Sequence, residues 1–204
     1  KRVVDQDNSP EFVIQEWRTT DNYLEYAKVR MNGTTFIEEC FKNRKDMHHG
    51  IYVDIMMLHK VPTSKFVQKI VYYESKFVTL YALSQRNWNP KTNGQTWVLK
   101  SLKYLPCKWI AKKCYQHIYS YEDRKDDFMY CYWITPAKFH AGLFEPKFFD
   151  EPVDVPFEDT MLLGSKYIKE YLTYRYGDYM KLPSEEQQKA AVHAMIFDTE
   201  KDYH

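Results

Sequence analysis

Asp54 is the residue of this chain that most needs a chemical explanation. It sits in the middle of an apolar, β-like run, Ile51-Tyr52-Val53-Asp54-Ile55-Met56-Met57-Leu58. An unpaired ionised carboxylate inside a sheet is costly, so Asp54 calls for a hydrogen-bonding network, a cationic side chain or a metal ion. Lys28 and Arg30 lie two apart in a second strand-like segment and so project from one face. Such a pair suits a diphosphate, with Arg30 in bidentate contact; it suits equally the counter-charge to Asp54 or Glu38. His48 and His49 precede the apolar run, and His49 reads as an acid, a base, a phosphate contact or an ordinary loop histidine. Near the other end, Tyr176-Gly177-Asp178-Tyr179-Met180 places an acid after a helix-ending glycine. There Asp178 is suited to pinning a turn through backbone amides or to meeting a ligand.

The elements that must position these residues follow from spacing. Phe12-Val13-Ile14 reads as a short strand and residues 24–30 as another. The Asn32-Gly33 turn, leading into Thr34-Thr35-Phe36-Ile37, predicts a hairpin. Continuous apolarity over 51–58 predicts a central strand buried on both faces. Thr63 and Ser64 offer helix caps. Beyond them Phe66, Ile70, Tyr73, Phe77, Leu80 and Tyr81 recur at helical spacing, an amphipathic helix running to about Arg86.

A loop over 87–94 precedes a second helical region split by Pro106, in which Lys100, Lys103, Lys108, Lys112 and Lys113 interleave with Leu and Trp. This lysine-rich region reads as the solvated face of a core-packed helix, or as a helix lying on an anionic membrane surface. Residues 129–134 predict a strand, and 136–165, with four of the nine prolines, extended segments and turns. A helix over 167–176 ends at Gly177, and a last one opens at Ser184 with Glu185 and Glu186 in its first turn. The pattern is one α+β domain over residues 1–204.

Composition narrows the function classes. Lys plus Arg is 29 against 28 for Asp plus Glu, so the net charge of +1 gives no global reason to expect nucleic acid. Cys40, Cys107, Cys114 and Cys131 form no C-x-x-C pair; a reducing compartment is expected, and a zinc site with His117 is disfavoured by the ligand spacing. No apolar run approaches the roughly 20 residues that span a bilayer, and the polar opening KRVVDQDNSP does not read as a secretory signal.

Three stretches together resemble the LicD family of phosphotransferases: YAKVRMNGTTFIEE (26–39), HHGIYVDIMMLHKVP (48–62) and FEDTMLLGSKYIKEYLTYRYGDYMKLPSEEQ (157–187). The resemblance implies a partial nucleotidyltransferase-like fold, related to that of DNA polymerase beta, with a mixed sheet and packed helices. It implies transfer of a phosphorylated alcohol, such as phosphocholine, from a cytidine diphosphate donor to a sugar hydroxyl of a cell-surface glycan precursor. It assigns Asp54 as a carboxylate ligand of Mg²⁺, Asp54 and His49 as catalytic residues, and Lys28, Arg30, Asp178 and Tyr179 to the substrate. A choline head group would want an aromatic cage, for which Tyr132, Trp133 and Tyr179 are examples. The implied place of work is the cytoplasm, at the inner face of the cell membrane.

The chain departs from the family pattern in two ways. It lacks the Gly-rich turn and Asp-rich strand that supply the other metal ligands. Asp5-Gln6-Asp7 has the spacing but not the apolar setting, and reads as coincidence. His59 stands where the family often has Asp, and His193 falls where it often has His. One Asp cannot build a metal site alone. The expectation is therefore the C-terminal part of a longer catalytic domain. The alternative is a degenerate, non-catalytic module that binds a glycan or a partner protein.

Overall fold

The computed structural model describes residues 11–15, 27–42, 45, 47–85, 93–135, 137–190 and 194–203. Asp5-Gln6-Asp7 and His193 lie outside them. Among the described residues the chain is a mixed α+β structure of five α-helices and four small sheets, every pairing antiparallel. One mixed sheet was the expectation; the strands are instead divided.

β1 (Phe12–Gln15), β2 (Ala27–Met31) and β4 (Tyr52–Ile55) form the first sheet, with β2 in the middle. The Asn32-Gly33 turn forms, with Gly33 at φ +72°, but the hairpin does not. Both edges of β2 are taken by strands from elsewhere, so β3 (Thr35–Glu38) turns away and pairs with β10 (Ala194–Asp198). The predicted central strand over 51–58 is also corrected. Its first half is β4, at the edge of the first sheet, with Val53 69% exposed; the chain then leaves and enters a different sheet as β5 (His59–Pro62). Apolar content alone does not specify a partner strand, and here the run is shared between two sheets.

β5 pairs with β6 (Phe128–Cys131), which pairs with β7 (Leu143–Phe144). α1 (Lys65–Ser84) and α3 (Lys108–Ile118) pack here, burying Val61, Val71, Val78, Ile118, Cys131 and Trp133 in one cluster. α2 (Asn93–Tyr104) lies against α1, and the predicted break at Pro106 separates it from α3. An amphipathic helix normally buries its apolar stripe, but in α1 only the end of that stripe, Phe77 and Tyr81, packs inward. Phe66 and Tyr73 of that stripe are exposed, while Gln68, Val71, Ser75, Val78 and Thr79 face inward. The inward polar groups are satisfied locally: Gln68 Nε2 donates to the Pro62 carbonyl (3.0 Å), Ser75 Oγ to Val71 O (2.7 Å) and Thr79 Oγ1 to Ser75 O (2.9 Å). Satisfied, small side chains permit close packing without an unmet hydrogen bond.

β8 (Pro152–Phe157) and β9 (Thr160–Ser165) make a hairpin, followed by α4 (Ile168–Tyr176) and α5 (Glu185–Ala190). Ser184 and Gln187 cap α5 reciprocally, each side chain accepting from the other's backbone N–H at 3.3 and 3.1 Å.

Candidate functional site

The antiparallel register of β2 and β4 sets Lys28 opposite Asp54 and Arg30 opposite Tyr52. Alternation then puts all four side chains on one face of the sheet. Lys28 Nζ donates to Asp54 Oδ1 at 2.8 Å and lies 3.2 Å from the centroid of the Tyr52 ring. Arg30 Cζ is 4.7 Å from the same ring. Its Nε donates to Gln15 Oε1 at 2.6 Å and its Nη1 to the Gly50 carbonyl at 2.9 Å.

Lys28 is 2% exposed and Arg30 1%, whereas the Asp54 side chain retains 27% exposure. Burial pulls the Lys28 ammonium below its ordinary value, and the hydrogen bond and charge of Asp54, with Glu38 behind it, partly hold it up. Burial likewise lowers the Arg30 guanidinium, opposed by Tyr52, Glu38 and Asp54. Two cations thus share a low-dielectric site, with Asp54 bonded directly to Lys28.

Gly50 makes the close packing possible. A Cβ there would lie 2.1 Å from the Met31 carbonyl oxygen and 2.7 Å from His48 Cε1, so no side chain fits. His48 Nδ1 accepts from the Gly50 N–H (3.0 Å) and Nε2 lies 2.7 Å from Asn32 Oδ1, which assigns a neutral ring protonated at Nε2. His49 is buried, its ring 5.5 Å from that of Tyr203, which also meets His48 at 5.0 Å. Burial raises the Tyr203 phenol, while Arg30 and the His49 main chain hold it down.

The structure therefore brings together Lys28, Arg30, Asp54 and, across Tyr203 and Gly50, His49. Asp178 and Tyr179 belong to another region. They follow α4 at Gly177 (φ +70°, ψ −124°), where Tyr179 N donates to Gly177 O (2.9 Å) and Lys181 N to Asp178 O (3.2 Å). Among the described residues no hydrogen bond or ion pair joins them to the Asp54 cluster. Nor do the three aromatics named as a cage converge. Trp133 is fully buried in the core, stacked on Phe139 at 5.1 Å with its indole N–H donating to Phe139 O (2.9 Å).

Two site residues had weak or no sequence signal. Tyr52 was reachable, being two positions from Asp54 and hence on its face. Tyr203 was not, since only the return of the chain after β10 brings it to His49.

The implied Mg²⁺ does not fit the described residues. Asp54 has one oxygen taken by Lys28, a second cation stands nearby, and among the described residues there is no group of three His, Cys, Asp or Glu side chains able to hold a metal. The charge of Asp54 is balanced by Lys28, so a metal is not required to explain an acid in that strand. Cys107 and Cys131 are spent in separate core clusters, and burial pushes the Cys131 thiol up, opposite to what a thiolate ligand needs.

A cleft of about 590 Å³ opens in another part of the molecule, between α4 and the segment around β7, lined by Met129, His140, Leu143, Lys147, Lys169 and Glu170 among others. Lys169, Glu170, Thr173 and Tyr174 of its lining belong to the third resembling stretch, but none of the candidate site residues lines it. Its Lys147 is held between Glu145 (3.5 Å) and Glu170 (3.3 Å).

Comparison with protein-family models, curated proteins and solved structures finds no match.

Proposed function

We propose that this chain is a LicD-like phosphotransferase domain with a nucleotidyltransferase-like architecture. It would act in moving a phosphorylated alcohol, such as phosphocholine, from a cytidine diphosphate donor to a sugar hydroxyl of a cell-surface glycan precursor. The observation that supports this reading is the Lys28–Arg30 pair, two cations buried on one strand face, with Lys28 bonded to Asp54. Desolvated cations interact strongly with added negative charge, and a planar guanidinium beside an ammonium matches the oxygens of a diphosphate. Asp54 is the solvent-reachable edge of the cluster, so an arriving diphosphate competes with it for Lys28.

A second reading has its own support. The 2.8 Å Lys28–Asp54 bond already satisfies the acid, which is what a non-catalytic module binding a glycan or a partner protein would show.

Calorimetric titration of CDP-choline, with and without Mg²⁺, separates the two. The first reading expects heat of binding that is lost in Lys28→Met and reduced in Arg30→Lys. Asp54→Asn, which removes a competitor for Lys28, should tighten donor binding. No heat from the wild-type chain under either condition favours the module.

A further inference from the structure

We propose that the corner between α2 and α3 seats this protein on the surface of an anionic lipid bilayer. The inference stands apart from the transfer chemistry and uses none of its residues.

Both helices have one face committed to the fold. In α2, Leu99 is buried and Leu102 packs on the cluster of Tyr81, Cys107 and Ala111; in α3, Ala111, Tyr115 and Ile118 face inward. The opposite faces carry large aromatic side chains instead of the usual polar ones. Trp97 is 72% exposed, Tyr104 82% and Trp109 67%, with Leu105 exposed at the turn that joins the helices. Trp97, Lys100 and Tyr104 recur at i, i+3 and i+7, and Trp109, Lys112 and Lys113 at i, i+3 and i+4, so each tryptophan shares its face with a lysine. Lys113 Nζ lies 5.9 Å from the Trp109 ring centroid.

The charges that these two helices carry have one sign, and Glu74 of α1 reaches α3 only at His117, at 2.7 Å, near its end. No Asp or Glu occurs between Glu74 and Glu122, a stretch holding Lys100, Lys103, Lys108, Lys112 and Lys113, although the whole chain has a net charge of only +1. An ordinary solvated helix face mixes both signs and does not present indole rings to water. Exposed Trp and Tyr flanked by lysine match the headgroup layer of a bilayer. There the rings rest at the polar–apolar boundary and the ammonium groups meet acidic lipids. No described helix is long and apolar enough to cross a membrane, so the contact is peripheral.

The test is sedimentation of the full chain with vesicles of phosphatidylcholine alone or with about one-third phosphatidylserine, at low and raised salt. The expected result is partition onto the phosphatidylserine vesicles only, weakened by salt. The double variant K100A/K113A should weaken it by about fivefold per lysine removed, and W97S/W109S should abolish it. All four positions are exposed, and an unchanged far-UV circular dichroism spectrum checks that the variants fold. No partition, equal partition onto phosphatidylcholine alone, or partition indifferent to W97S/W109S overturns the proposal. So does self-association of the lipid-free chain, or retention on a single-stranded oligonucleotide, that W97S/W109S removes in the absence of vesicle binding. These variants leave CDP-choline titration unchanged if both readings hold, so failure of one is distinguishable from failure of the other.

Discussion

The sheet carrying Lys28 and Asp54 and the sheet packed against α1 and α3 are both three-stranded and antiparallel, yet they bury different chemistry. The first encloses an ammonium, a guanidinium, Gln15 and two histidine neighbours, held by hydrogen bonds of 2.6 to 3.0 Å. The second encloses Val61, Ile118, Cys131 and Trp133. Its buried polar side chains include Gln68, Ser75 and Thr79, each hydrogen-bonded to a backbone carbonyl, and His59, whose Nδ1 has no hydrogen-bond partner among the described residues. Where burial is apolar, packing volume decides stability. Where it is ionic, pairing decides it, because a lost partner leaves a desolvated charge behind. A site that keeps two cations in the protein interior gives up the easier solution that its neighbour uses, which is the kind of local exception expected of functional positions.

The apolar half of this contrast breaks most visibly at Trp133. Trp133→Ala removes the largest fully buried side chain and its Phe139 contact, and should cost about 3–5 kcal/mol in chemical denaturation. A loss near zero would mean the second sheet is not the packing centre.

For the ionic half, Lys28→Met should cost about 2–3 kcal/mol. That is less than for a fully enclosed pair, since Asp54 keeps some exposure. Adding Asp54→Asn to the same chain should recover most of the loss, and a double-mutant cycle measures the coupling. Additive losses would show that Lys28 and Asp54 do not act as a pair.

His59 sharpens the contrast through pH. Burial pushes its pKa down to about 4, below the ordinary 6.5, with Glu122 Oε1 no nearer than 3.8 Å. Between those values the unfolded chain binds the proton and the folded chain does not. Stability is therefore lost as pH falls through that window, by up to about 3 kcal/mol. His59→Phe should flatten this acid limb. Glu122, whose own pKa is raised by burial, acts in the opposite direction, so the informative quantity is the difference between variant and wild type. Parallel pH profiles would place the acid sensitivity elsewhere.

The smallest effect is expected away from both sheets. Gly177→Ala, at φ +70° and ψ −124°, should cost roughly 1–2 kcal/mol through backbone strain alone. It should leave the Lys28 site's ligand titrations unchanged.

Elements whose signals are local were legible in the chain itself. Residues Lys65 to Ser84 are helical as their apolar spacing predicts, although Ser64 at the N-cap position makes no side-chain capping bond; α4 stops at Gly177 because only glycine takes that backbone readily, and the Ser184–Gln187 capping pair opens α5. The candidate site was partly legible: Lys28 and Arg30 share a face by the period of a strand, and an acid in an apolar run announces a partner. Which partner was not legible. The same residues were consistent with a metal, a phosphate or a salt bridge, and only the register of β2 against β4 puts Lys28 on Asp54.

The amino-acid sequence by itself determined where the main helices lie and that Asp54, Lys28 and Arg30 had charges to be compensated. Those are matters of neighbouring residues and their periodicity. Tertiary structure alone decided that the apolar run over 51–58 is divided between two sheets, that α1 turns Phe66 and Tyr73 outward, and that Tyr203 closes over His49. Each depends on which distant surfaces compete for the same edge or face. That competition is settled by the whole set of contacts formed on folding, which no local spacing encodes.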